Sequence, residues 1–324
     1  MLPRKRRSAL LFAAFMALAF VAAACGNEGD SDADGEDGLT GTIRADGSST
    51  VAPLTEAAAE RFQEENPGVR VTVGTSGTSG GFEKFCNGET DISDASRPIK
   101  EEEVAACAEE GVEYDNVQVA NDALSAVVHP DNPLECISVE ALKQAWDLDT
   151  NVDSWGDIEG LDTELPDEEL TLFGPGSDSG TYDYWTEAIN GEEGRIRTDY
   201  NSIGEDDEAA VNGISADPWA MAYIPYSFVT EAGDRVKALE IKNPETGECV
   251  APTLENVQSG AYAPLGRPLF IYPSAEALER PEVVAFIEFF IESQEDITQA
   301  ASYIPMNADQ VAEAQAKVAA LATS

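Results

Sequence analysis

The sequence predicts an α/β fold on a largely parallel sheet, and two observations carry this. From Gly41 onward, runs with strand periodicity alternate with runs of helical periodicity. A strand, a glycine-rich loop and a helix also succeed one another twice within roughly 45 residues, and a third time near residue 170.

In order, Gly41–Ala45 reads as a short strand feeding Asp46-Gly47-Ser48-Ser49-Thr50. A helix follows, with Pro53 in its first turn and Leu54, Ala58 and Phe62 on one face. Pro67-Gly68 breaks it, and Val69–Val73 alternates as a strand. The glycine-rich run Gly74–Gly81 leads to a helix expected from Phe82. Ala123–Val128 reads as a buried strand, interrupted by Pro130 and Pro133 before a helix at Val139–Trp146. Leu170–Phe173 is a strand that runs through Gly174-Pro175-Gly176-Ser177-Asp178-Ser179-Gly180-Thr181 into a helix carrying Tyr184, Trp185 and Ile189. Ala220–Pro225 is a further strand, Pro268–Tyr272 is apolar, and Glu282–Ile291 is a strongly apolar helix.

The first residues read as an export signal. Arg4, Lys5, Arg6 and Arg7 precede 16 uncharged residues, Ala9–Ala24, fewer than the roughly 20 of a bilayer-spanning helix. Ala22-Ala23-Ala24 then stands directly before Cys25, the order of lipoprotein processing. The expectation is a signal over 1–24, a lipidated Cys25, and an acidic, Gly/Ser-rich tether over 25–40 that cannot bury enough apolar surface to fold. The alternatives are a plain signal with an incidental cysteine, or an uncleaved anchor.

The 324 residues hold 19 basic and 62 acidic side chains, a formal charge of −43. Removing the four basic residues of the leader leaves 15 against 62, near −47. Such a surface excludes nucleic acid as a natural partner. It also repels anions at long range, although at physiological salt the Debye length is only about 8 Å. Any anion must therefore be captured by local donors. Four cysteines remain after Cys25, an even number in an exported chain, and this predicts two disulfides. Of three pairings, Cys86–Cys107 with Cys136–Cys249 is favoured, since the first closes a local loop. No metal site is expected: CxxC is absent and His129 is the single histidine.

Three segments share one chemistry: Gly47-Ser48-Ser49-Thr50, Gly77-Thr78-Ser79-Gly80-Gly81 and Ser177-Asp178-Ser179-Gly180-Thr181. Each follows a strand and opens a helix. Glycine lets the backbone approach a ligand, the helix start offers unpaired N–H groups and a positive dipole end, and the hydroxyls add donors. Together these make an anion site at the carboxyl ends of strands. One such loop alone would be an ordinary N-cap. No Lys follows the glycines as in a Walker loop, and the centre of Gly176–Gly180 is Asp178, not the Ser of a nucleophile elbow. Arg97, in a run of Asp, Ser and Pro, offers a planar fork for an oxyanion; the competing reading is a salt bridge to Asp91 or Asp94.

These residues resemble the substrate-binding proteins of Pst-type phosphate ABC importers over roughly residues 41 to 305. The motifs that carry the likeness are Asp46–Thr50, Gly77–Phe82 with the run from Gly88 to Ile99, and Ser179-Gly180-Thr181. The resemblance implies a type II periplasmic-binding fold with two lobes, two crossovers and a ligand cleft between them. One lobe would be 41–128 plus 266–324, the other 129–265. It implies a monomer outside the cytoplasm that binds inorganic phosphate and passes it to permease subunits, with no cofactor and no catalytic residues. The ligands it implies are Ser48, Ser49, Thr50, Thr78, Ser79, Ser179, Gly180 and Thr181. Some members carry Asp at the position of Arg97 and an Arg before the third loop; here that loop has no Arg. Asp178 or Asp94 would then accept the proton that phosphate carries and sulfate lacks. The alternatives are a binder of sulfate or molybdate, a phosphatase-like enzyme, for which the single histidine is a poor basis, and a surface adhesion protein, which has no need of three anion loops.

Overall fold

The computed structural model describes residues 38–177, 179–204 and 206–323. The expected signal 1–24, Cys25, most of the tether, and Asp178 lie outside the described residues. The strands are β1 (Gly41–Gly47), β2 (Val69–Gly74), β3 (Ile92–Ala95), β4 (Val117–Val128), β5 (Cys136–Ser138), β6 (Thr171–Gly174), β7 (Asn201–Ser202), β8 (Ala220–Pro225), β9 (Lys237–Ala238), β10 (Glu240–Lys242), β11 (Cys249–Val250) and β12 (Gly266–Pro273). The helices are α1 (Ala52–Glu65), α2 (Gly77–Cys86), α3 (Glu101–Glu110), α4 (Val139–Trp146), α5 (Gly180–Trp185), α6 (Asp207–Ala216), α7 (Tyr226–Ala232), α8 (Leu254–Gln258), α9 (Pro281–Glu292), α10 (Gln294–Ala300) and α11 (Ala308–Leu321). A wider π turn, Thr186–Asn190, continues α5.

The main sheet runs β2-β1-β3-β12-β4-β8-β6-β7, with β9 added beside β4. Its two flanks are parallel, as expected: β2, β1 and β3 on one side, β8, β6 and β7 on the other. The centre is not. β12 is antiparallel to β3 and β4, and β4 is antiparallel to β8. The sheet is therefore mixed. The chain crosses from one flank to the other on β4 and returns on β12, so the crossing strands must run against each other.

β4 is also longer than the apolar run Ala123–Val128 that announces it. Val117, Val119 and Ala120 pack into a core with Ile43, Leu54, Phe62, Leu269 and Phe286. Ala123, Leu124, Ala126 and Val128 pack into a second core with Trp146, Trp185 and Tyr223. The helical faces read from sequence are the buried ones: Leu54, Ala58 and Phe62 of α1 are at most 2% exposed.

α2 begins at Gly77, five residues before the expected Phe82. Its glycines serve two needs: Gly77 turns the chain into the helix with φ +77°, and Gly81 allows close approach. A Cβ on Gly81 would lie 2.5 Å from Cα of Gly47, so the helix can rest on the end of β1 only without a side chain there. Cys86 pairs with Cys107, tying α2 to α3, and Cys136 pairs with Cys249, tying β5 to β11 in a small sheet ordered β11-β10-β5. This is the pairing favoured from spacing. The cluster Cys136, Glu240 and Cys249 has its two sulfurs in that disulfide and offers no thiolate pair to a metal.

A candidate anion-binding cleft

The three Ser/Thr/Gly loops meet. Loop β1–α1 lines a cavity of about 360 Å³ with Ser48, Ser49 and Thr50, and the first turn of α2 adds Gly77, Thr78, Ser79 and Gly80. A second cavity of about 160 Å³, on the other side of Thr50, is lined by Ser179, Gly180 and Thr181 at the start of α5. Thr50 borders both cavities, and a Cβ on Gly180 would lie 3.1 Å from its Oγ1. The first and third loops are thus in contact, although 130 residues of sequence separate Thr50 from Gly180.

Local hydrogen bonds set these donors. Ser48 N–H donates to the Asp94 carbonyl at 2.9 Å, and its Oγ accepts from Thr50 N–H at 3.2 Å, which closes the turn. Tyr303 donates to the Thr50 carbonyl at 2.7 Å. At α2, the Ser76 side chain does not cap the helix; its hydroxyl donates to Asp46. That leaves the positive end of α2 facing the cavity. Thr78 Oγ1 lies 3.1 Å from Ser96 Oγ and accepts from Ser96 N–H at 3.4 Å. Ser179 caps α5, its Oγ accepting from Thr181 N–H at 3.3 Å.

The carboxylates around the loops divide into two kinds. Burial works against ionisation of Asp46, but the bonds from Lys84, at 2.6 Å, and Ser76 outweigh it and hold this carboxyl below its ordinary value. Asp183 accepts from Ser49 Oγ at 3.2 Å; burial raises its carboxyl, helped by nearby Glu187. Asp183, Glu187, Glu192 and Glu193 give the larger cavity an acidic wall opposite Arg97, Lys100 and Arg267.

Two expected residues sit differently from their sequence reading. Arg97 does border the larger cavity, but its guanidinium grips Glu103 in a two-pronged ion pair at 2.7 and 2.8 Å and also donates to Ser79 Oγ at 2.9 Å. Its partner is thus neither Asp91 nor Asp94. Glu103 caps α3 as well, accepting from Lys100 N–H at 2.8 Å, so one carboxylate anchors both. Asp94 does not reach the cavity: it is fully buried under α1, with Oδ1 accepting from Thr55 at 3.0 Å. His129 borders neither cavity; its Nδ1 accepts from Asp131 N–H at 3.1 Å.

Sequence reasoning missed Arg267, Asp122, Asp183 and Ser96. Arg267 Nη2 donates to Thr50 Oγ1 at 3.2 Å and to Asp122 Oδ2 at 3.4 Å, and its guanidinium carbon lies 3.3 Å from the centre of the Tyr184 ring. A signal was present: Arg267 is a lone cation directly before the apolar run Pro268–Tyr272, in a chain poor in basic residues.

The architecture is that of a binding protein: a mixed sheet, two cores, two crossing strands and helix N-termini turned toward a cleft. Residues 32–295 match the PBP superfamily domain, so the chain belongs to that superfamily. Within it, this chain belongs with the PstS and SphX proteins. It is 41% identical to protein SphX of Synechococcus elongatus over 268 residues, 82% of this chain and 78% of that protein. It is 33% identical to the phosphate-binding protein PstS of Staphylococcus saprophyticus over 298 residues, 91% of this chain and 89% of the other. Among solved structures, a possible phosphate binding protein from Planctomyces limnophilus superposes with a TM-score of 0.82 at 39% identity, covering 88% of this chain and 99% of its own.

Proposed function

We propose that this protein captures inorganic phosphate outside the cytoplasm and hands it to the permease of an ABC importer. The observation that carries the reading is the meeting of three Ser/Thr/Gly loops around Thr50, with the Arg267 cation 3.2 Å from its hydroxyl. Ser48, Ser49, Thr50, Thr78, Ser79, Ser179, Gly180 and Thr181 supply hydroxyl and amide donors, and Arg97 orients Ser79. The kinship with the phosphate-binding protein PstS supports phosphate over other tetrahedral anions.

We assign the two lobes to 41–128 plus 266–324 and to 129–265, with closure about β4 and β12. The protein acts as a monomer held at the membrane by a lipid on Cys25. Cys25→Ala should move it from the detergent phase to the aqueous phase on Triton partition; retention of the variant in detergent would refute the anchor.

Specificity follows from the proton that phosphate carries near neutral pH. Asp178 can accept its hydrogen bond, whereas sulfate offers that carboxylate only lone pairs, and an unmatched buried acceptor costs about 1–3 kcal/mol. Equilibrium dialysis with labelled phosphate and sulfate as competitor tests both claims. Phosphate should be retained against excess sulfate, and Asp178→Asn should narrow the preference by roughly tenfold. Preferred retention of sulfate would favour the oxyanion alternative, and an unchanged ratio in the variant would remove the role of Asp178.

A further inference from the structure

Two arginines border the larger cavity, and their partners differ. Arg97 gives both terminal nitrogens to Glu103 at 2.7 and 2.8 Å. Arg267 meets its carboxylate, Asp122, through one nitrogen at 3.4 Å. A parallel two-pronged pair is the strongest arrangement a guanidinium forms with a carboxylate, and a single contact at 3.4 Å is much weaker. Arg267 Nε is buried and has no hydrogen-bond partner among the described residues. A buried cationic donor without an acceptor is costly, and an anion would relieve it.

The register explains the location. β4 and β12 pair antiparallel with Arg267 opposite Asp122, so the ion pair spans the two strands on which the chain crosses between flanks. Both side chains are nearly buried, 11% and 10% exposed. From there Arg267 reaches Thr50 on the first loop and lies against Tyr184, which packs in the other core and donates to the Pro264 carbonyl at 2.8 Å.

We propose that Arg267 is the cation that contacts the bound anion, and that Asp122 is the residue that positions it. The inference rests on the phosphate reading above. It answers the missing arginine of the third loop: the charge comes from the crossing strand instead. Thr50 Oγ1 accepts from Arg267, so its own proton is free to be donated to a ligand oxygen. Because one guanidinium touches Thr50 and Tyr184, engaging the anion and drawing the two sides together become a single event.

The test is calorimetric titration of inorganic phosphate into the wild type, R267K, R267Q, D122N and the R267Q/D122N double variant, with thermal melts of each. R267Q should weaken affinity by about 100-fold, because a hydrogen-bonded charge is lost. R267K should recover about tenfold of that loss, keeping the charge without the fork. D122N should weaken binding on its own but add nothing once Arg267 is gone, since it acts through that side chain. If R267Q does not fold, R267K and the double variant, which leaves no orphaned carboxylate, carry the comparison. A folded R267Q with wild-type affinity would overturn the role of Arg267, and additive losses in the double variant would overturn that of Asp122. A wild type that binds no phosphate would overturn the functional reading itself, and this inference with it.

Discussion

Asp94 shows how a single residue can be conspicuous in sequence and yet have another task. It lies in the motif that resembles phosphate-binding proteins, but its carboxyl is fully buried and serves the first loop from below. Its carbonyl takes the Ser48 N–H, and its Oδ1 takes the Thr55 hydroxyl. Burial pushes the carboxyl up from 3.8 to about 7; the Thr55 bond opposes this, and Asp46 and Glu56 add to it. A carboxyl whose pKa rises on folding holds its proton more tightly in the native state. Its contribution is therefore fully present below about pH 4 and is lost as pH rises through about 7. Asp94→Asn should flatten the fall in stability between about pH 4 and 7 by an amount on the order of a few kcal/mol. Thermal unfolding of both proteins at the two pH values checks this; an equal fall in both would refute it. Ser48, Thr50, Thr78 and Thr181 were legible because short polar residues beside glycines at strand ends form a local pattern. Arg267 and Asp122 were not, because their meaning comes from a cross-strand register between residues 145 positions apart.

At the scale of elements, periodicity located α1, α4, β8 and α9 to within a residue or two. It failed where tertiary contacts override local preference. The run from Gly77 to Gly81 has poor helix propensity, yet it is the first turn of α2 because it must rest against Gly47. The first half of β4 was hidden by Gln118, Asn121 and Asp122, which interrupt its apolar pattern. Gln118 donates to Asn121 on the same strand, and the other two have distant partners: Asn121 donates to Pro305 and Gln310, and Asp122 accepts from Arg267. The parallel sheet expected from repeated strand–loop–helix units holds on both flanks and reverses at the two crossing strands. No local sequence signal marks those strands as crossings.

At the scale of the whole molecule, the net charge of −43 sets the kinetics of capture more than its strength. A chain this acidic repels an approaching anion, and only the donors inside the cleft attract it. Raising salt from about 0.01 to 0.15 M shortens the Debye length from about 30 to 8 Å and should remove most of that repulsion. The association rate for phosphate should therefore rise over this range, opposite to a protein that steers anions electrostatically. Stopped-flow tryptophan fluorescence can follow it, since Trp185 stacks on Tyr223 at 4.4 Å just behind the third loop. A rate that falls with salt would show that the cleft's own field dominates.

The sequence by itself determined the α/β class, the three Ser/Thr/Gly loops, the even number of cysteines left after Cys25, and the need for local donors on an acidic surface. All of these are properties of composition and of neighbours along the chain. Only the tertiary structure decided where the cations go: Arg97 is taken by Glu103, while Arg267 reaches Thr50 from a returning strand. It likewise decided that the sheet is mixed and that Asp94 is buried. These depend on which residues meet across the sheet, and pairing over more than a hundred positions leaves no trace in local pattern.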